Sequence, residues 1–157
     1  MRNILFVCTG NICRSPMAEG VLRQRIPELV VYSAGLHAIT GAHVDSFAVD
    51  VVRARGVDIR GHRARSISGW MIDHADLVLA MDLAQESALF LKYPAFNYKI
   101  RRLGEHGDFD IPDPHQKGKQ AFFGALSLIT RGIDEWVASS LSTDSHQKGV
   151  QRHGYAS

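Results

Sequence analysis

The stretch Ile4-Leu5-Phe6-Val7-Cys8-Thr9-Gly10-Asn11-Ile12-Cys13-Arg14-Ser15-Pro16-Met17-Ala18 decides the fold. Its first four residues are bulky and apolar without a break, as expected of a strand buried on both faces. Cys8 to Ser15 is polar and holds a glycine, so it reads as a loop. Pro16 suits the first turn of a helix, where a missing N–H costs little. Behind it, Met17, Ala18, Val21 and Leu22 recur at helical spacing. A strand that runs through a short loop into a helix opens a βαβ unit, and therefore a parallel sheet.

The same alternation continues downstream. Val30 to Ser33 is predicted as a strand, closed by Ala34-Gly35. Asp45 is placed to cap a helix that reaches Arg55, with Phe47, Val51, Val52 and Ala54 on its apolar side and Gly56 as its stop. A helical patch from Trp70 to Ala75 precedes a strand over Leu77 to Met81. Asp82 opens a helix through Phe90, and Lys99 to Leu103 is the fourth strand. Gly104 to Gly118 is a loop rich in Asp, Gly and Pro, and the last helix runs from about Gln120 to Leu141. Four strands separated by helices predict an α/β three-layer sandwich: a four-stranded parallel sheet with helices on both faces and right-handed crossovers. The predicted domain covers residues 1–141. The tail, residues 142–157, is polar and aperiodic, and is expected to be disordered.

Bulk properties narrow the field. The 157 residues suit one core, and 45% hydrophobic with 22% charged residues is an ordinary globular balance. A formal net charge of +2 demands neither nucleic acid nor a membrane surface. The two cysteines share one short loop, too few for a disulfide scaffold, so cytosolic thiols are expected. The apolar run at the N-terminus is too short for a secretory signal, and no segment is long and apolar enough to span a bilayer. The expectation is a cytoplasmic protein without membrane insertion. The eight histidines are scattered without metal-ligand spacing, so neither metal nor cofactor is expected.

The loop itself carries chemistry. Between a strand and a helix, its backbone N–H groups form an anion cradle, and the helix N-terminus adds partial positive charge. Gly10 permits the tight path. Cys8 ends the strand facing the cradle, and Arg14 brings a planar fork suited to phosphate oxygens. Such a field favours thiolate over thiol. Complete ionisation of an ordinary thiol gains only about thirtyfold at pH 7, or about 2 kcal/mol. Phosphate monoester hydrolysis is far slower than that gain repairs, so the larger effect must be the grip of cradle and arginine on the transition state. Ser15 is placed to donate a hydrogen bond to the Cys8 sulfur, and Asn11 to brace the loop. The acid that protonates a leaving oxygen should sit on a separate loop. From the residues alone, Asp108, Asp110 and Asp113 are equal candidates there.

Val7-Cys8-Thr9-Gly10-Asn11-Ile12-Cys13-Arg14-Ser15-Pro16, followed by Met17-Ala18-Glu19, Ser33-Ala34-Gly35, Gly61-His62-Arg63-Ala64-Arg65 and Asp113-Pro114, resembles the low-molecular-weight protein tyrosine phosphatases from Ile4 to about Leu141. The resemblance is closest to bacterial members tied to exopolysaccharide production. It implies a phosphocysteine intermediate on Cys8, with Arg14 and the amides of Thr9, Gly10, Asn11, Ile12, Cys13 and Ser15 around the phosphate. It selects Asp113 as general acid and then base. It places Leu36 near the pocket rim and His115 where the family usually has Tyr, as a flat wall for the substrate ring. It implies a reversible Cys8–Cys13 disulfide under oxidation. The implied partner is a phosphotyrosine protein, in this subgroup an autophosphorylated bacterial tyrosine kinase, and the expected state is a monomer or weak dimer.

Other readings compete. An arsenate reductase on this fold needs further cysteines for its disulfide relay, and there are none beyond Cys13. Protein-arginine phosphatases share Cys8-Thr9-Gly10-Asn11 but carry Thr where this chain has Ile12, whose apolar surface better suits an aromatic ring. A non-catalytic anion-binding module would have lost Cys8, Arg14 or Asp113. Among the remaining polar groups, His62 is expected to be a structural hydrogen-bonder, and Arg60, Arg63 and Arg65 solvated charge. Trp70 and Tyr93 are expected in the core.

Overall fold

In a computed structural model, which describes residues 1–141, the chain forms one four-stranded parallel sheet with helices on both faces. The strands are β1 (Asn3–Cys8), β2 (Val30–Gly35), β3 (Leu77–Ala80) and β4 (Ile100–Arg102). The helices are α1 (Arg14–Arg25), α2 (Ser46–Arg53), α3 (Gly69–His74), α4 (Leu83–Lys92) and α5 (Lys119–Trp136). The sheet order is β2-β1-β3-β4, and every pairing is parallel. The predicted three-layer fold is the observed one. The tail, residues 142–157, lies outside the described residues.

The unbroken apolar run of β1 follows from its place at the centre of the sheet. Ile4, Phe6 and Cys8 face one core, where Met17, Leu22, Val51, Phe122 and Ile129 come from α1, α2 and α5. Leu5 and Val7 face the other, packed on Met71 and Ile72 of α3 and Leu89 of α4. Successive side chains of a strand point to opposite faces, so each residue of this run belongs to one of two cores.

Element ends differ from the expectations by a few residues, for local reasons. Helix α1 begins at Arg14, two residues ahead of Pro16, so the arginine lies in the first helical turn and not in the loop. Asp45 caps α2 as expected, its side chain accepting from Phe47 N at 2.9 Å, and Gly56 follows with φ +76°. Asp82 caps α4 by accepting from Gln85 N at 2.8 Å. The long C-terminal helix ends at Trp136 and passes into a five-residue π-helical turn, Val137–Leu141.

Trp70 corrects an expectation. It is 59% exposed, on the outer side of a six-residue helix too short to bury both of its faces. Its ring meets His74 edge-on, with centroids 6.0 Å apart. Tyr93 is half-buried against the second core.

The sheet order positions the site. From β1 the chain moves outward to β2, then returns past β1 to β3 on the other side. The order reverses between β1 and β3, and in such sheets the crevice beyond the strands' C-terminal ends at this reversal is where ligands bind. Cys8 ends β1 at that crevice.

Candidate active site

Residues 9–13 fold back around the sulfur at the end of β1. Cys8 Sγ lies 2.9 Å from Ser15 Oγ, and the Asn11 N–H donates to it from 3.3 Å. The sulfur thus has two hydrogen-bonding neighbours from the loop and the first turn of α1. No side chain caps α1 and its first turn holds no acidic residue, so its leading amides remain available to an anion.

The loop keeps its path through Asn11, which is fully buried and adopts φ +56°. Asparagine tolerates this left-handed conformation better than most residues. Its Nδ2 donates to Ser15 Oγ at 2.8 Å and to Ser33 Oγ at 3.0 Å. Its Oδ1 accepts from Arg65 N at 3.0 Å and lies 3.1 Å from His62 Nε2. The other ring nitrogen of His62 lies 3.3 Å from Glu19 Oε2, an oxygen that also accepts from Ser33 Oγ. The loop that follows β2 adds Leu36 N to Cys8 O and His37 N to Thr9 O, each 2.9 Å. Gly35 is required here, because a Cβ would stand 2.6 Å from Thr9 O.

Arg14 is 3% exposed, and two acceptors hold it. Its Nη1 donates to Asp82 Oδ2 at 3.0 Å and to Ile111 O at 2.8 Å. Asp82 and Ile111 thus fix the guanidinium without using Nη2, which lies 4.0 Å from Asp113 Oδ2. Gln85 completes the floor by donating to Thr9 Oγ1 at 3.1 Å while it accepts from Met81 N.

A cavity of about 180 Å³ results, lined by Cys8, Thr9, Gly10, Ile12, Cys13, Arg14, Asp113 and His115. The sequence-predicted residues therefore converge, with three distinctions. Asn11 and Ser15 stand behind the cavity wall. Leu36 is half-buried and packs on the second core, outside the lining. Asp108 and Asp110 turn to Arg102, at 2.7 and 2.8 Å, and do not line the cavity. Of the three aspartates on that loop Asp113 alone lines the cavity, half-exposed, with Oδ1 accepting from His115 N at 3.1 Å. A larger recess of about 390 Å³ beside Glu19, Arg23 and Asp58 contains no cysteine, so size does not mark the chemistry.

Cys13 differs from Cys8 in its setting. Burial pushes its thiol up to about 12, with the negative charges of Asp45, Cys8 and Asp113 adding to the rise and Arg14 opposing it. Sequence reasoning missed Asp82, Gln85 and Asp45 as neighbours of the site. The position of Asp82 and Gln85 just past β3, at the sheet's switch point, was the available signal.

The profile of the family described as low molecular weight phosphotyrosine protein phosphatase matches residues 3–148. The chain belongs to that family. This phosphatase is 47% identical over 137 residues to the probable low molecular weight protein-tyrosine-phosphatase EpsP of Ralstonia nicotianae, covering 87% of this chain and 94% of that one. Its fold superposes on Vibrio vulnificus Wzb in complex with benzylphosphonate with a TM-score of 0.84 at 34% identity, covering 87% and 97% of the two chains. The YwlE arginine phosphatase from Geobacillus stearothermophilus is also similar, with a TM-score of 0.81 at 32% identity over 93% and 99%. The protein is a low-molecular-weight protein-tyrosine-phosphatase of the kind that includes EpsP and Wzb.

Proposed function

We propose that the phosphatase hydrolyses phosphotyrosine in two displacement steps through Cys8. The observation that carries this is the Cys8 sulfur, gripped by Asn11 N–H and Ser15 Oγ, in a cavity on which Arg14 and Asp113 converge. The Cys8 thiolate attacks phosphorus. The S–P bond forms as the P–O bond to the tyrosine ring breaks, and Asp113 gives its proton to the departing phenolate. Arg14 and the loop amides hold the three equatorial oxygens, whose charge is spread in the transition state. In the second step Asp113 takes a proton from water as its oxygen attacks phosphorus. The S–P bond breaks, Cys8 leaves as thiolate with Ser15 donating to it, and inorganic phosphate departs.

The apolar wall supports an aromatic substrate. Ile12 and the flat ring of His115 both line the cavity, and the Ile12 side chain offers no hydrogen-bond acceptor to a guanidinium. The likeness to an arginine phosphatase makes phosphoarginine the competing substrate. Turnover of phosphotyrosine and phosphoarginine peptides of one sequence decides between them, and a preference for phosphoarginine overturns the tyrosine assignment. Rapid-quench work with a labelled aryl phosphate tests the mechanism, since a chain that turns over without an alkali-stable, mild-acid-labile label on Cys8 does not use it.

The similarity to EpsP and Wzb supports a cytoplasmic role opposite a bacterial tyrosine kinase that phosphorylates itself, in control of exopolysaccharide production. Cys8→Ser protein used as bait in a host lysate should retain such a kinase in its phosphorylated form. Retention of only unphosphorylated proteins overturns that role.

A further inference from the structure

Three ligand-bearing side chains meet at the rim of the cavity, although the sequence keeps them far apart. Cys13 Sγ lies 3.9 Å from His115 Nδ1, and His115 Nδ1 lies 3.7 Å from Asp45 Oδ2. All three ligand atoms fall within 4.8 Å of one another, the one such group among the described residues. Tetrahedral zinc, with bonds of about 2.3 Å to sulfur and about 2.0–2.1 Å to nitrogen or oxygen, sets its ligand atoms about 3.3–3.7 Å apart. The side chains therefore stand within a few tenths of an ångström of that spacing along two edges.

The supporting contacts fit as well. Asp45 commits Oδ1 to the Phe47 amide, which orients the carboxylate and leaves Oδ2 toward the thiol and the imidazole. Asp45 N also donates to Ile12 O at 2.9 Å, tying the cap of α2 to the loop that carries Cys13. His115 is partly exposed, which opens a path from solvent to the buried thiol. One thiolate, one imidazole and one carboxylate form a borderline-soft donor set suited to Zn²⁺ and not to Mg²⁺ or Ca²⁺.

We propose that Cys13, Asp45 and His115 form a Zn²⁺-class site at the mouth of the cavity, and that its occupation shuts the enzyme. The ion takes three protein ligands and keeps a fourth position for water. The Cys13 thiol gives its proton to solvent as the S–Zn bond forms, and His115 binds through Nδ1 with its proton on Nε2. Two anionic ligands balance the charge of the ion. The ion links the loop bearing Asp113 and His115 to the N-terminus of α2, across the opening through which an aryl group enters. The acid is then pinned and the opening narrowed. The inhibitory consequence rests on the phosphatase reading above, whereas the binding site does not.

The test separates the two. In Cys8→Ser protein, Cys13 is the only thiol of the chain. Titration with Co²⁺ should give a thiolate-to-cobalt charge-transfer band that saturates at one ion per chain and is displaced by Zn²⁺. The band should vanish when Cys13→Ser is added. It should need at least tenfold more Co²⁺ when Asp45→Asn or His115→Gln is added, and Asn keeps the helix-capping oxygen. Absence of the band from Cys8→Ser protein, or a titration unmoved by both ligand variants, overturns the site. With Cys8 intact, Zn²⁺ should inhibit p-nitrophenyl phosphate turnover, relieved by EDTA. Half-inhibition in Asp45→Asn should require at least tenfold more Zn²⁺, relative to that variant's own metal-free rate. Equal inhibition in both means that the ion acts on Cys8, and the regulatory claim fails. A chain without metal-free turnover overturns the phosphatase reading and the inhibition built on it, and leaves the cobalt titration to decide the site alone.

Discussion

Two cysteines five residues apart have opposite surroundings, and that contrast sets the chemistry residue by residue. Cys8 receives an N–H and a hydroxyl, whereas Cys13 faces Asp45 and is held near 12 by burial. A thiol with a pKa near 12 is ionised to about one part in 10⁵ at pH 7. Iodoacetamide at neutral pH should therefore label Cys8 and spare Cys13, as read by peptide mass spectrometry; equal labelling contradicts the assignment. The raised value also has a sign in stability. The folded chain holds the Cys13 proton more tightly than an unfolded chain with its ordinary value of 9.0. This contribution is intact below about pH 9 and is lost as pH climbs towards about 12. Cys13→Ala should flatten the stability curve over that interval relative to the parent, measured by urea titration at each pH. At Arg14, Lys supplies charge without the second edge of the fork, while Asp82 and Ile111 compete for its single ammonium. Arg14→Lys should lower kcat/KM by at least 10³-fold, about 4 kcal/mol in the transition state. Asp113→Asn should slow phenyl phosphate far more than p-nitrophenyl phosphate, whose leaving group needs little help. Equal losses on the two move the acid to another residue.

Among the elements, the loop between β1 and α1 has a shape that its own five residues do not determine. Asn11 is held by Ser33 from β2 and by His62 and Arg65 from the segment after α2, groups 22 to 54 positions away. Asn11→Asp isolates this bracing, since Asp also accepts the left-handed backbone but cannot donate to Ser15 and Ser33. Two buried hydrogen bonds lost and a carboxylate buried should cost about 2 kcal/mol or more in urea denaturation, with weaker phosphate binding. An unchanged urea midpoint and KM would show the loop to be held by other means. The strand, the loop chemistry and the sheet were legible in the sequence because β1 and α1 are contiguous and strongly patterned. Asn11 was legible as a brace and His62 as a structural hydrogen-bonder, but their pairing with each other and with Ser33 and Arg65 was not, because long-range partners leave no periodic trace. The placement of Trp70 was misread for a related reason. Apolar character does not fix whether a six-residue helix such as α3 covers a side chain. The Cys13–Asp45–His115 cluster was invisible for the same cause, its members being spread over three elements brought together by α2 and the loop before α5.

Across the whole molecule, the reversal of strand order beside β1 concentrates function at one edge. Cys8 from β1, Arg14 from α1, Asp82 from the end of β3 and Asp113 from the loop after β4 all reach the same crevice. The larger recess beside Glu19 and Asp58 shares no lining residue with the cavity at Cys8, and phosphate can distinguish the two. An anion that binds only the folded chain stabilises it by about 2.7 kcal/mol at a hundredfold excess over its Kd. For a domain of this size that raises Tm by about 5–10 °C. Parent and Cys8→Ser proteins should both show the rise, since the sulfur is not needed to bind the anion. Arg14→Ala should lose most of it, because the fork and its buried setting provide the strongest contact. Asp113→Ala should keep the rise or enlarge it, since its carboxylate repels the incoming phosphate. A rise that survives Arg14→Ala and disappears on substituting Arg23 would place the anion in the larger recess, and the convergence at the switch point would then not be the phosphate site.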